Sequence, residues 1–231
     1  MVIGIIGAME EEVAKLKVEM TETEQVSKAS MDFLRGKLCG KDVVVVRSGI
    51  GKVNAAVCTQ ILIDDYKVDR VINTGVAGGL YSELNVGDIV ISNDALYHDF
   101  DVTGFGYEEG VIPRMKTSTF VADSELASKA KEVCERVNPD IKCFIGRVVS
   151  GDQFISTNSK KEWLVEKFNG YCTEMEGAAI AQVAYLNRIK ALIVRAISDK
   201  ADDSASMDYD EFERKAIENC VKLTTRLIET I

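Results

Sequence analysis

The sequence predicts one α/β domain over residues 1–231 with a central parallel or mixed sheet, and three observations carry that expectation. Its apolar runs are short, β-branched and apolar on both faces, as in strands covered by helices on two sides. Stretches with helical spacing alternate with those runs, the pattern of a layered α/β fold. No linker, repeat or low-complexity segment interrupts the chain, and 231 residues, 46% hydrophobic and 28% charged, suit one large core.

In chain order, strands are expected at 2–6, 43–46, 71–73, 89–92, 144–150 and 191–198. Between them, Val13, Leu16 and Met20 fall at helical spacing, as do Val53, Val57 and Ile61, and Leu126, Ala130 and Val133. A helix is expected over 177–187. A last one, from Asp208 to Ile231, sets Phe212, Ala216, Val221, Leu227 and Ile231 near one face. Pro113 and Pro139 fall in expected loops.

Composition excludes several classes of function. The formal charge of -9, with no Lys/Arg-rich run, argues against a nucleic-acid partner. No apolar stretch is long enough to span a bilayer, and the apolar start at Met1 lacks a basic leader region and runs directly into Glu10-Glu11-Glu12. Cys39, Cys58, Cys134, Cys143, Cys172 and Cys220 are scattered, which fits reduced thiols in a cytoplasmic protein. With His98 as the single histidine, no metal site is expected.

In open α/β sheets, ligands bind where strands end. Five such segments stand out: Gly7-Ala8-Met9-Glu10-Glu11-Glu12, Ser48-Gly49-Ile50-Gly51-Lys52, Thr74-Gly75-Val76-Ala77-Gly78-Gly79, Ser150-Gly151-Asp152-Gln153-Phe154 and Ser198-Asp199. Taken singly, each has a plain structural explanation. The glutamates at 10–12 complement a helix N-terminus, as do Glu174 and Glu176. The glycines form tight strand-to-helix turns, and they match neither the dinucleotide nor the P-loop spacing. Asp199 is either a helix cap or a site residue, and Arg195, inside an apolar run, requires a buried partner. The joint placement of these carboxylates after strands or at helix starts is what makes a site plausible.

Ile5-Ile6-Gly7-Ala8-Met9-Glu10-Glu11-Glu12-Val13, Ser48-Gly49-Ile50-Gly51-Lys52-Val53-Asn54, Asn73-Thr74-Gly75-Val76-Ala77-Gly78-Gly79, Tyr97-His98-Asp99-Phe100-Asp101-Val102-Thr103-Gly104-Phe105, Val149-Ser150-Gly151-Asp152-Gln153-Phe154-Ile155, Glu174-Met175-Glu176-Gly177 and Arg195-Ala196-Ile197-Ser198-Asp199 run in order along nearly the whole chain. Together they resemble the bacterial methylthioadenosine/S-adenosylhomocysteine nucleosidases. The resemblance implies the purine nucleoside phosphorylase-like fold, a three-layer α/β/α sandwich around a mixed sheet, working as a homodimer. It implies hydrolysis of the adenine–ribose bond of methylthioadenosine and S-adenosylhomocysteine, and of 5′-deoxyadenosine, with no metal and no organic cofactor.

By matched position, the resemblance makes Glu12 the base that activates water and Asp199, supported by Ser198, the acid that protonates adenine N7. Met175 and Glu176 would face the ribose, Phe154 would stack on adenine, and the Ile155 backbone would read the adenine edge. Gly78 would pass beside the ribose, and Met9, Ile50 and Tyr209 would line the ribose and alkylthio pocket. Val102, Phe105 and Pro113 would close that pocket from the partner subunit. Many relatives carry serine where this chain has Val76, which is therefore left out of the expected site. His98 is expected to be structural and held by a neighbouring carboxylate. Two alternatives are a purine nucleoside phosphorylase, whose phosphate the acidic first loop would repel, and a non-catalytic nucleoside-binding protein, which would have no need of Glu12 and Asp199.

Overall fold

The computed structural model describes the backbone of residues 1–231 and all side chains except those of 206–208, 210 and 211. The expected alternation is present. β1 (Val2–Gly7) leads into α1 (Glu10–Glu19), and a hairpin of β2 (Thr21–Lys28) and β3 (Met31–Leu38) follows. Next come β4 (Lys41–Arg47), α2 (Lys52–Tyr66), β5 (Arg70–Gly79), β6 (Ile89–Tyr97), a short β7 (Phe120–Val121) and α3 (Ser124–Val137). The chain ends with β8 (Cys143–Ser150), α4 (Asn158–Phe168), β9 (Cys172–Glu174), α5 (Gly177–Asn187), β10 (Lys190–Asp199) and α6 (Ala205–Thr230).

All ten strands join one mixed sheet. β1 lies parallel to β4 and β5, and β5 lies parallel to β10, whereas β10 and β6 run antiparallel, as do β2, β3 and β4. β5 also pairs with β9, so β5, β10, β6, β8 and β9 close into a ring. Side chains alternate across a strand, and both faces of this sheet are covered. Val43 and Val45 enter one core with Ile72, Ile89 and Val194, under Leu16 of α1, Ala130 of α3 and Leu227 of α6. Val44 and Val46 enter the other with Val71, Val90 and Ile193, under Leu62 of α2 and Ile180 of α5. This is the three-layer sandwich.

Three local expectations need correction. The hairpin was not expected: β2, Thr-Glu-Thr-Glu-Gln-Val-Ser-Lys, is exposed along its whole length and so carries no apolar alternation. Val53 and Val57 do not face the core. They are 75% and 40% exposed, and Ala55, Cys58, Ile61 and Leu62 make the buried face of α2 instead. The 74–79 glycine segment is not a loop after a strand but the second half of β5, because β10 continues beside it from Val194 to Asp199. In addition, α6 starts at Ala205, before the expected start at Asp208, whose side chain is outside the described residues.

Candidate active site

Strand ends and helix starts converge on one cavity of about 350 Å³, a size suited to a small-molecule ligand. Its lining includes Met9, Glu12, Ile50, Gly78, Phe154, Ile155, Met175, Glu176, Ser198, Asp199 and Tyr209, which are all the positions expected from this chain's own subunit. Val102, Phe105 and Pro113 do not line it. They lie in the long connection between β6 and β7, and Phe105 is 86% exposed rather than folded onto its own core.

Glu12 sits in the first turn of α1, where its carboxylate accepts the N–H groups of Ala8 (2.7 Å) and Met9 (3.0 Å). It thus does serve the helix N-terminus, but it also reaches across to accept the Val76 N–H at 3.0 Å. Glycine at 75 permits that reach: a Cβ there would come within 2.2 Å of Glu12 Oε1 and 2.5 Å of Arg195 Nη1. Burial pushes the Glu12 carboxyl above its ordinary value, against the pull of Arg195 and the three backbone donors. The result is a buried carboxylate of increased basicity facing the cavity.

Asp199 ends β10. Its Oδ1 accepts the Ala201 N–H and its Oδ2 the Ser198 hydroxyl, both at 2.8 Å, and it is buried. It does not cap α6, whose N-cap is Ser204. Gly78 lies against Asp199, as Gly75 lies against Glu12. The two carboxylates are thus anchored three residues apart along β5, about 10 Å of strand, with the cavity between them.

Arg195 and Glu174 belong to this site although neither was among the expected site residues. The Arg195 guanidinium donates to Glu174 (2.5 Å) and Asn73 (2.5 Å), approaches Glu176 at 3.5 Å and lies 3.9 Å from Glu12. Burial opposes its charge, yet Glu174, Glu176 and Glu12 hold it above the ordinary arginine value. Glu174 also accepts the N–H groups of Glu176, the N-cap residue of α5, and of Gly177, so its carboxylate serves the start of that helix. Glu176 is thereby released to face the cavity and to accept the Gly51 N–H at 2.9 Å. Burial and the neighbouring Glu174 push Glu176 up to about 7. The sequence signal was the charge at 195 inside an apolar run, which demanded a partner without saying which carboxylate would supply it.

The remaining walls are apolar or aromatic. Phe154 is half-exposed and meets Tyr209 edge to face at 6.1 Å, and the Tyr209 hydroxyl lies 3.4 Å from Met9 Sδ. Val76 also lines the cavity, a correction to its omission from the expected site. His98 is buried, but neither ring nitrogen has a hydrogen-bond partner among the described residues. Asp99 turns instead to Lys52, so the expectation of a carboxylate-held histidine is corrected.

A strand-end cavity with one apolar aromatic wall, a carboxylate cluster and the buried Asp199 suits a small molecule that combines a flat ring with hydroxyl groups. The family model described as "Phosphorylase superfamily" matches residues 2–229. The 5′-methylthioadenosine/S-adenosylhomocysteine nucleosidase of Staphylococcus carnosus is 42% identical over 230 residues, 99% of this chain and 100% of the relative. The solved nucleosidase of that name from Neisseria meningitidis, in complex with methylthio-immucillin-A, superposes with a TM-score of 0.95 at 38% identity, covering 100% of this chain and 99% of that one. The futalosine hydrolase of Helicobacter pylori gives a TM-score of 0.94 at 32% identity, covering 100% and 98%. The chain belongs to the phosphorylase superfamily and, within it, to the methylthioadenosine/S-adenosylhomocysteine nucleosidases.

Proposed function

We infer that this chain hydrolyses the adenine N-glycosidic bond of 5′-methylthioadenosine and S-adenosylhomocysteine, releasing adenine and the 5-substituted ribose. The observation that carries the choice of water over phosphate is the charge of the cavity: the carboxyl groups of Glu12, Glu174 and Glu176 face it, beside the proton-bearing Asp199, with Arg195 as the one lining cation among the described residues, and that cation is already engaged. A phosphate dianion needs cationic or N–H-rich walls, and this cavity repels it.

The chemistry follows from the two ends of the cavity. Departure of adenine makes the ribose ring oxocarbenium-like. Asp199 protonates N7, so adenine leaves as a neutral base as the C1′–N9 bond breaks. Glu12 takes a proton from water as its oxygen bonds to C1′. Glu176 holds the ribose hydroxyls and, with Glu12, stabilises the positive charge that develops on the ring. Phe154 stacks on adenine, the Ile155 backbone reads its edge, Ser198 supports Asp199, and Met175 and Gly78 flank the ribose. Met9, Ile50 and Tyr209 make the apolar end, where a methylthio group fits.

The exposure of Phe105, Val53 and Val57 supports a homodimer, since large apolar side chains left wet on a monomer are unusual unless they meet a partner. In that assembly Val102, Phe105 and Pro113 close the alkylthio end of the other subunit's cavity. No helix among the described residues is long and apolar enough to cross a membrane, and six free thiols support a reducing, cytoplasmic setting.

The test is an adenine-release assay on methylthioadenosine, S-adenosylhomocysteine, 5′-deoxyadenosine and aminodeoxyfutalosine. Release from the first three is expected. Turnover of aminodeoxyfutalosine alone would contradict the reading.

A further inference from the structure

Three loops meet beside the cavity through a cluster that contributes no atom to its lining. The loop after β4 ends at Gly51 (φ +96°), a conformation that favours glycine. Its N–H holds Glu176, and the next N–H, that of Lys52, donates to Asp152 Oδ1 at 2.9 Å. Asp152 belongs to the segment after β8, and its carboxylate faces the open N-terminus of α2, where an anion is favoured. The Asp152 N–H donates in turn to Asp99 Oδ2 at 2.9 Å. Lys52 Nζ donates to that same oxygen at 2.5 Å and lies 3.6 Å from Asp152. Beneath them the His98 ring presses on Gly151, where a Cβ would come within 2.4 Å of His98 Cε1.

Two residues beyond Asp152 stands Phe154, which forms a wall of the cavity and is half-exposed. Residues 151–157 belong to no strand or helix, so no sheet ladder fixes that ring. The Lys52–Asp99–Asp152 cluster is what ties the start of this segment to α2.

We propose that Asp152, clamped by Lys52 and Asp99, is a positioning residue: its carboxylate on the N-terminus of α2 sets the segment that carries Phe154 and Ile155 at the distance adenine requires. The proposal rests on the reading of Phe154 and Ile155 as the adenine wall. Asp152 touches neither the cavity nor the reacting atoms, so its loss acts on adenine binding before it acts on chemistry.

The experiment compares Asp152→Ala, Asp152→Asn and Phe154→Ala in the full-length protein by adenine Kd from calorimetry, by KM and kcat for methylthioadenosine, and by Tm. Asp152 is half-exposed, so both of its variants should fold. Asp152→Ala is expected to weaken adenine binding and raise KM by roughly fivefold or more, with kcat within about twofold and Tm unchanged, as the loss of one charge-assisted contact allows. Asp152→Asn should recover most of the affinity, because its amide oxygen still accepts the Lys52 N–H. If Phe154→Ala weakens adenine binding and Asp152→Ala does not, the clamp is wrong and the adenine wall stands. If Asp152→Asn is as impaired as Asp152→Ala, the backbone hydrogen bond is not what positions the segment, and the proposal falls. If Phe154→Ala binds adenine normally, the adenine wall is wrong and the clamp's purpose goes with it.

Discussion

Glu12 and Asp199, the base and the acid of the proposed reaction, sit in different surroundings. Glu12 is buried among backbone N–H donors beside a guanidinium, while the contacts of Asp199 include the Ser198 hydroxyl and the Ala201 N–H. Glu12→Gln and Asp199→Asn keep shape and remove the proposed base and the proposed transferable proton, respectively. Each is expected to lose at least ~100-fold in kcat while still binding an adenosine analogue, as for groups that act in the transition state. Near-normal turnover of either variant would remove that residue from the chemistry. His98 gives a second prediction at this scale. Burial pushes it from the ordinary 6.5 down to about 4. Between those values the unfolded chain binds a proton that the folded chain refuses, so this contribution to stability is full above 6.5 and is lost as the pH falls towards 4. Glu176, raised from 4.5 to about 7, acts with the opposite sign: the folded chain holds a proton that the unfolded chain gives up, and stability is gained as the pH falls through that range. The comparison that isolates His98 is therefore between His98→Gln and the unaltered protein. The variant should have a lower Tm at neutral pH, a smaller loss of Tm from about pH 7 to about pH 5, and retained turnover. An identical pH slope, or a well-folded variant without activity, would contradict a structural role for this ring.

Among the elements, the central strands and the outer face of α2 mark where sequence reasoning succeeded and where it stopped. The strands were legible because apolar runs without alternation can only be covered on both sides, and Val43–Val46 split between two cores as that pattern requires. β2 was not legible, because an edge strand exposed on both faces carries no burial pattern. Val53 and Val57 misled because helical spacing shows that a stripe exists, not what covers it; here the stripe faces outward. The same outward exposure of Phe105 motivates the prediction for this scale. If the segment crosses to a second subunit, Phe105→Ala should raise KM for methylthioadenosine more than for adenosine, since only the former carries an apolar 5′ group. Mixing a Glu12→Gln chain with a chain disabled at Phe105 and Pro113 should restore activity, because one site of each heterodimer then combines an intact core with an intact crossing segment. Heterodimers without recovered activity, or an active monomer at assay concentration, would contradict the crossing.

For the molecule as a whole, the site was legible at the positions where strands end, because sheet geometry makes those positions converge. Met9, Ile50, Phe154, Met175 and Tyr209, far apart in sequence, share one cavity with both carboxylates. The Glu174–Arg195 pair was not legible as a unit, since which carboxylate meets a buried arginine is decided by the pairing of β9, β5 and β10 rather than by local sequence. That pairing also concentrates negative charge in the cavity, and from it follows the central claim that water, not phosphate, attacks C1′. The measurement that tests it most directly is product analysis by mass spectrometry after turnover of methylthioadenosine in heavy-oxygen water containing phosphate. Free methylthioribose carrying heavy oxygen at its anomeric position, formed at a rate independent of phosphate, is the predicted result. Methylthioribose 1-phosphate as the main product, with turnover that rises with phosphate, would contradict the account.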